Sequence, residues 1–444
     1  MRKNFFKIIH TKIKHSQINL AVFFVCFTCR NLSYFVDKSV FRDILKLKDV
    51  KILKKRLLCL FAIICIVLSG CGASQEEQEQ ANTITQEIEQ AKVLASGYFY
   101  DEALTLLDGS QYKDDEQIVA LKNEINTQKN QLVKYDGQFY HVFFHSLIVY
   151  PELAFDGDYM HEGYDMWMTT VSEFKNMLPQ LYERGFILYS MADIQKGKDV
   201  MLPPGKKPLI ISIDDVCYYD YMKNDGFADR LVINEAGEVA CEVRTPEGET
   251  IVTYDGDVMP ILDQFVKEHP DFSYRGAKGV VALTGYEGAL GYRITDLEGE
   301  ELSKAQEEVK KIATVMKENG WLFACHSYTH NDYFKDGGVA YDTLVKDTQR
   351  WEDTIAQYVL DPDIYISPFG YHLKEGDDRL GYLSADMGYT YFCPVSTAMR
   401  TIFTEDGTVI QERFNLDRFN MRNQKEFINK TFFDVDSVYY NIPE

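Results

Sequence analysis

The sequence predicts an α/β fold built on a parallel sheet or barrel, and three observations carry that expectation. From about residue 138 to the C-terminus, short apolar runs alternate with amphipathic segments. The most apolar of these runs, PLIISI (208–213), opens on a proline and ends abruptly in two carboxylates, Asp214 and Asp215. The other dense polar cluster, HSYTH (326–330), ends the run WLFAC in the same way. In parallel α/β proteins, function collects where strands end and loops begin.

Taken in order, the strand candidates are 140–149, 186–190, 208–213, 279–285, 321–326, 363–367, 389–393 and 416–421. Amphipathic periodicity places helices between several of them, at 170–184, 258–269, 301–319 and 341–359. Residues 230–254 interrupt the alternation with glycine-containing turns between β-type runs, which reads as an inserted β-hairpin. Upstream, 88–109 and 115–133 have helical periodicity, and Ala95, Gly97, Tyr100 and Ala103 resemble part of a tetratricopeptide-type helical hairpin. One such unit buries its own face poorly, so 91–134 is expected to be a spacer or packing arm.

The chain has 444 residues, long enough for two or three domains, and carries a net charge of −21. That charge is uneven. Residues 1–56 hold 14 Lys/Arg against 3 Asp/Glu, leaving 33 against 65 for the rest. So acidic a body repels phosphate polymers, which excludes nucleic acid as an expected partner. Residues 50–71 carry a short basic stretch, an apolar run too short for a comfortable membrane span, and LSGC. This is the layout of a bacterial signal peptide, and Leu68-Ser69-Gly70-Cys71 resembles a lipobox with Cys71 as the lipidated residue. The body is then expected outside the cytoplasmic membrane, as an anchored lipoprotein or secreted, with the polar 72–90 as a flexible tether. Residues 1–49 read as a doubtful upstream extension of an over-called start; the competing reading is a second anchor at 18–29.

Of the nine cysteines, only Cys217, Cys241, Cys325 and Cys393 lie beyond Cys71, and their spacing gives neither a disulfide framework nor a zinc-type pairing. They read as free, buried thiols, with Cys217 and Cys325 beside the polar clusters.

Burying one carboxylate costs several kcal/mol unless a proton, a cation or donors compensate it, so paired aspartates at a strand end mean a metal, an acid/base site or a polar loop. His326 and His330, four residues apart, can set their imidazoles side by side. Two neutral histidines and one carboxylate give three ligands for a divalent ion, with positions left open as in a catalytic site. Successive strand residues point opposite ways, so the two aspartates should differ in role: one ligating, the other taking a proton from water.

The order SIDDV (212–216), HSYTH (326–330), SPFG (367–370) resembles the NodB-type polysaccharide deacetylases, carbohydrate esterase family four. Their motifs read T-F-D-D-G, H-S/T-x-x-H and R-x-P-Y/F-G, and the likeness covers residues 138–444. It implies a distorted (β/α)7 barrel, Asp214 as base, and Asp215, His326 and His330 as ligands of one divalent ion. Zinc comes first, with cobalt, manganese, nickel or iron as alternatives. It further implies oxyanion or substrate contacts from Pro368, Phe369 and Gly370.

The sequence departs from the family at Val216, where the motif has glycine, and at Ile366, where it has an arginine that orients the base. No histidine follows His372, so the usual late general acid is missing. Members with permuted motifs carry the acid on an N-terminal strand, which makes His145 in FFHSL the candidate, with His372 in reserve. Tyr286, and less so Tyr292, could line a sugar cleft; Trp167 and Trp321 read as core. The expected activity is hydrolysis of N-acetyl, in preference to O-acetyl, groups on an amino-sugar polymer of the peptidoglycan or poly-N-acetylglucosamine type. The alternatives are a degenerate glycan-binding lipoprotein and a hydrolase of small non-peptide amides.

Overall fold

The computed structural model describes residues 75–359 and 362–443. The expected signal peptide, the expected lipidation site Cys71 and the expected upstream extension lie outside the described residues. The chain divides into two units, Met1–Gln80 and Ala81–Glu444; of the first, residues 75–80 are described and are helical. No helix among the described residues is long and apolar enough to cross a membrane.

Helix α1 spans Gln75–Ser96, so most of the expected tether is helical. Its cause is a stripe of Ile84, Ile88, Ala91 and Ala95, all buried at helical spacing. With α2 (Tyr100–Asp108) and α3 (Glu116–Asn130) this stripe forms a small core that also takes in Ile187. The Tyr98 hydroxyl donates to the Asp271 carbonyl at 2.9 Å, and Arg275 pairs with Glu102, so the arm is docked.

The main sheet has ten strands: β1 (Tyr140–Phe144), β2 (Phe186–Leu188), β3 (Lys207–Ile213), β4 (Val280–Leu283), β5 (Leu322–Cys325), β6 (Ile364–Ile366), β7 (Tyr391–Cys393), β8 (Thr401–Phe403), β9 (Val409–Gln411) and β10 (Phe414–Asn415). Their order is β8-β9-β7-β6-β5-β4-β3-β1-β10, with β2 beside the first half of β3. Every pair is parallel except β8–β9. β9 and β10 sit far apart in this order, yet only Glu412 and Arg413 separate them in sequence. The sheet must therefore curl until its ends meet, and the Arg413 amide, donating to the Pro394 carbonyl at 2.8 Å, stitches the seam.

The curl gives the sheet two buried faces, and the strand period of 2 sorts side chains between them. Ile210, Val280, Ala282, Ala324, Ile364, Ile366, Tyr391, Cys393 and Val409 share one cluster, the inner face. Their neighbours Ile211, Val281, Phe323, Tyr365, Phe392 and Ile410 belong to the other, under helices such as α4 (Val171–Glu183) and α5 (Val258–Glu268). Continuing the inner parity to the strand ends brings Asp214 and His326 to one rim.

Two expectations are corrected here. Residues 416–421 are not a strand: Asp417 accepts from the Asn420 amide at 2.7 Å and caps a helix, Arg418–Asn423. The insertion is a three-stranded antiparallel sheet, Ala228–Ile233, Val239–Arg244 and Thr250–Thr253, one strand more than a hairpin.

Candidate metal centre

β3 ends with Asp214, 3% exposed, and the chain then turns through Asp215 at φ 62°. Because the left-handed residue is Asp215, position 216 needs no glycine. Val216 is fully buried, its amide donating to the Ala282 carbonyl at 3.2 Å. Tyr218, Ser327, His330 and Phe369 also have positive φ, so the loops of this rim hold five of the eleven such non-glycine residues described. Each costs about 1–3 kcal/mol, and such strain gathers at functional sites.

Donor atoms of Asp215, His326 and His330 lie within 4.8 Å of one another. His326 is 2% exposed, and its Nδ1 donates to the Ile366 carbonyl at 2.8 Å, which leaves the Nε2 lone pair facing the aspartates. Nε2 is 3.8 Å from Asp214 Oδ2 and 3.9 Å from Asp215 Oδ1. Burial lowers the His326 pKa to about 4, against the pull of both carboxylates, so the ring is neutral. Burial works against the Asp215 charge, yet His330 and His326 hold its pKa below the ordinary value. A neutral imidazole with one nitrogen fixed by a carbonyl, plus an ionised carboxylate, is the donor set of a zinc-type centre.

Asp214 is not in that cluster, and one of its oxygens is taken by Arg413. This arginine, 0% exposed, donates from Nη1 to Asp214 Oδ1 at 2.7 Å and to the Ser212 hydroxyl at 3.2 Å, with its guanidinium over the Phe143 ring. Burial raises the Asp214 pKa, but Arg413, with help from His326 and His145, brings it down to about 2. Arg413 thus gives Asp214 a buried cationic partner from the seam of the sheet, while Ile366 meets His326 through its carbonyl.

His145 follows β1 on the same rim, half-buried, with Nδ1 donating to the Trp167 carbonyl at 3.1 Å. It lies close enough to Asp214, Asp215 and Asp417 to interact with them electrostatically. His372 is exposed, and its Nε2 is engaged by the Val395 carbonyl at 2.7 Å. In the SPFG turn, Phe369 lays its ring on His330 at 4.4 Å, and Gly370 (φ 70°) sits where a Cβ would strike Val395 at 2.4 Å. Tyr286 stacks at 5.1 Å on Tyr219, whose hydroxyl donates to Asp215 at 2.8 Å. Tyr292 instead sends its hydroxyl to the Leu231 carbonyl, towards the inserted sheet.

Cys217 is buried with its thiol 3.2 Å from the Thr284 hydroxyl, and burial pushes its pKa up to about 12. Cys217, Cys241, Cys325 and Cys393 are all free and buried. Trp321 is core, but Trp167 is 49% exposed; it ends the helix His161–Trp167 on the open rim instead of packing inside.

Sequence reasoning missed Arg413, Tyr219 and Asp347. Asp347, on α6 (Tyr341–Thr354), accepts from the amides of Tyr328 (2.6 Å) and Thr329 (3.0 Å) and from the Thr329 hydroxyl (2.6 Å), clamping the loop between the two histidines. A signal existed: Leu344, Asp347, Thr348 and Trp351 form the buried stripe of α6, and an acid in such a stripe asks for partners.

No family model matches the chain, and no curated protein matches it. Among solved structures it is similar to the Streptococcus pyogenes deacetylase PplD, solved in complex with acetate, at 13% identity and a TM-score of 0.38 over 65% of this chain and 97% of that one. IcaB from Ammonifex degensii aligns at 12% identity and 0.38, over 65% and 96% of the two chains. The deacetylase domain of BpsB from Bordetella bronchiseptica aligns at 11% and 0.34, over 64% and 98%. Overlaps at these TM-scores do not define a shared fold.

Proposed function

We propose that the chain is a metal-dependent deacetylase of an acetylated amino-sugar polymer at the cell surface. The observation that carries this reading is the division of labour at the end of β3: Asp215 joins His326 and His330 in one donor cluster, while neighbouring Asp214 has one oxygen paired with the buried Arg413.

Asp215, His326 and His330 would hold one divalent ion, zinc first, which supplies Lewis-acid polarisation of the acetyl carbonyl and lowers the pKa of the attacking water. Asp214, ionised because Arg413 keeps it so, takes the proton from that water as a C–O bond forms. His145, oriented by the Trp167 carbonyl, gives a proton to the amine as the C–N bond breaks. A backbone amide of the Pro368-Phe369-Gly370 turn donates to the developing oxyanion. The products are acetate and a free amino sugar, and Tyr286 lines the approach.

In this reading the chain is a NodB-type polysaccharide deacetylase of carbohydrate esterase family four. The (β/α)7 barrel of that family is supported by counting β1, β3, β4, β5, β6, β7 and the segment 409–415 as its seven strands. In the same reading 91–134 is a packing arm, 138–444 the catalytic domain, and Cys71 the lipidated residue of an extracytoplasmic protein. Val216 and Ile366, which with the missing late histidine favoured a degenerate binding protein, both have a place in the site.

The test is acetate release from oligomers of N-acetylglucosamine, from O-acetylated glycan and from small soluble amides. Release from the oligomers that is lost in Asp214→Asn supports the proposal. Release from small amides alone would replace it with the third reading.

A further inference from the structure

We propose that Trp167 and Phe419 form a subsite that holds a pyranose ring of the substrate chain. This rests on the deacetylase reading and adds to it the requirement for a polymer.

The two rings are stacked, with centroids 6.1 Å apart and planes 30° from parallel, and they are 49% and 37% exposed. Single exposed apolar side chains are ordinary on a protein surface. This pair is built. Asp165, two residues before Trp167, accepts from Arg418 Nε at 2.8 Å and from Arg422 Nη1 at 2.9 Å, and these arginines flank Phe419 on its helix. The Arg418 amide also donates to the Met168 carbonyl. The helix ending in Trp167 and the helix carrying Phe419 are thereby locked together, so the ledge is preorganised and little freedom is lost when a ligand lands on it.

Position gives the ledge its occupant. The Trp167 carbonyl holds His145 Nδ1 at 3.1 Å, so the ledge adjoins the group that protonates the leaving amine. The acetyl carbon must sit at Asp215, His326 and His330, and the amine must lie towards His145. The sugar, and the chain continuing from it, is therefore on the His145 side of the ligands. There the apolar C–H face of a pyranose meets an amphipathic aromatic surface.

The chain has three tryptophans, and Trp321 and Trp351 are 1% and 0% exposed, so acrylamide quenching of the zinc-loaded protein reports on Trp167. The pentamer of N-acetylglucosamine should protect that fluorescence at least about twofold at saturation. Trp167→Ala should raise KM for the pentamer about tenfold, and Phe419→Ala severalfold; Trp167→Phe, which keeps a ring face, should recover most of the loss. Acetate release without protection, and with KM unchanged in Trp167→Ala, overturns the subsite and leaves the deacetylase reading intact. Protection without acetate release supports the subsite and removes the catalytic reading. Neither protection nor release removes both.

Discussion

Replacing Arg413 with Met tests how the site keeps its base ionised. The change removes the guanidinium but most of the volume remains. The pair is buried on both sides, 0% and 3% exposed, and joined at 2.7 Å. Removing one partner of such a pair costs about 3–5 kcal/mol, because the other charge stays buried and unpaired. The pKa gives a figure of the same order. Lowering Asp214 from 3.8 to about 2 corresponds to about 2 kcal/mol. The folded pKa lies below the unfolded one, so this stability is present above pH 3.8 and is lost as pH falls through about 2. Without Arg413, burial dominates, the Asp214 pKa rises, and the acid limb of the pH–rate profile moves up. The assay is urea unfolding of metal-free wild type, Arg413→Met, Asp214→Asn and the double variant at pH 7. Arg413→Met should lose about 3–5 kcal/mol, and the double variant should lose at least about 1 kcal/mol less than the sum of the single losses. Additivity within about 0.5 kcal/mol would refute the pairing argument.

Asp347→Ala strips the loop between the histidines of three hydrogen bonds; it should cost about 1–3 kcal/mol in unfolding and about tenfold in zinc affinity by competition titration. Asp257, fully buried and accepting from Tyr218, Val258 and Leu147, has its pKa raised by burial from 3.8 to about 6. Its contribution is therefore complete below pH 3.8 and falls as pH rises through about 6; the wild type minus Asp257→Asn difference should drop by about 3 kcal/mol across that window, measured by unfolding at stepped pH. His145→Ala should lower kcat about 10²–10⁴-fold, whereas His372→Ala should change it little, since the Val395 carbonyl occupies the His372 ring nitrogen; equal losses would reopen the choice of acid.

How much of this was legible depended on where compensation came from. β3 announced itself because its residues are apolar on both faces, and the aspartates at its end stood out against that run. The histidines were legible through their spacing once it was set beside those aspartates. Arg413 was not, because its partner lies 199 residues away and no local pattern links them. The same cause hid the strand segment 409–415: Gln411, Glu412 and Arg413 are buried yet polar, so hydropathy misses them. The strand was instead expected at 416–421, where Asp417 starts a helix by accepting a backbone hydrogen bond. Trp167 read as core because tryptophan usually is; its exposure follows from its place at the end of a short helix on the rim. The helix from Gln75 was masked by its polar composition, although Ile84 and Ile88 already carried its spacing.

The central claim is a three-residue metal centre with Asp214 outside it. Metal content of the purified protein, measured beside Asp215→Ala, His326→Ala and Asp214→Asn, tests it most directly. The account expects about one divalent ion per chain in the wild type, retained in Asp214→Asn and lost from the other two. A wild type that stays empty after equilibration with zinc, cobalt and manganese would contradict it, as would an Asp215→Ala variant that keeps its metal.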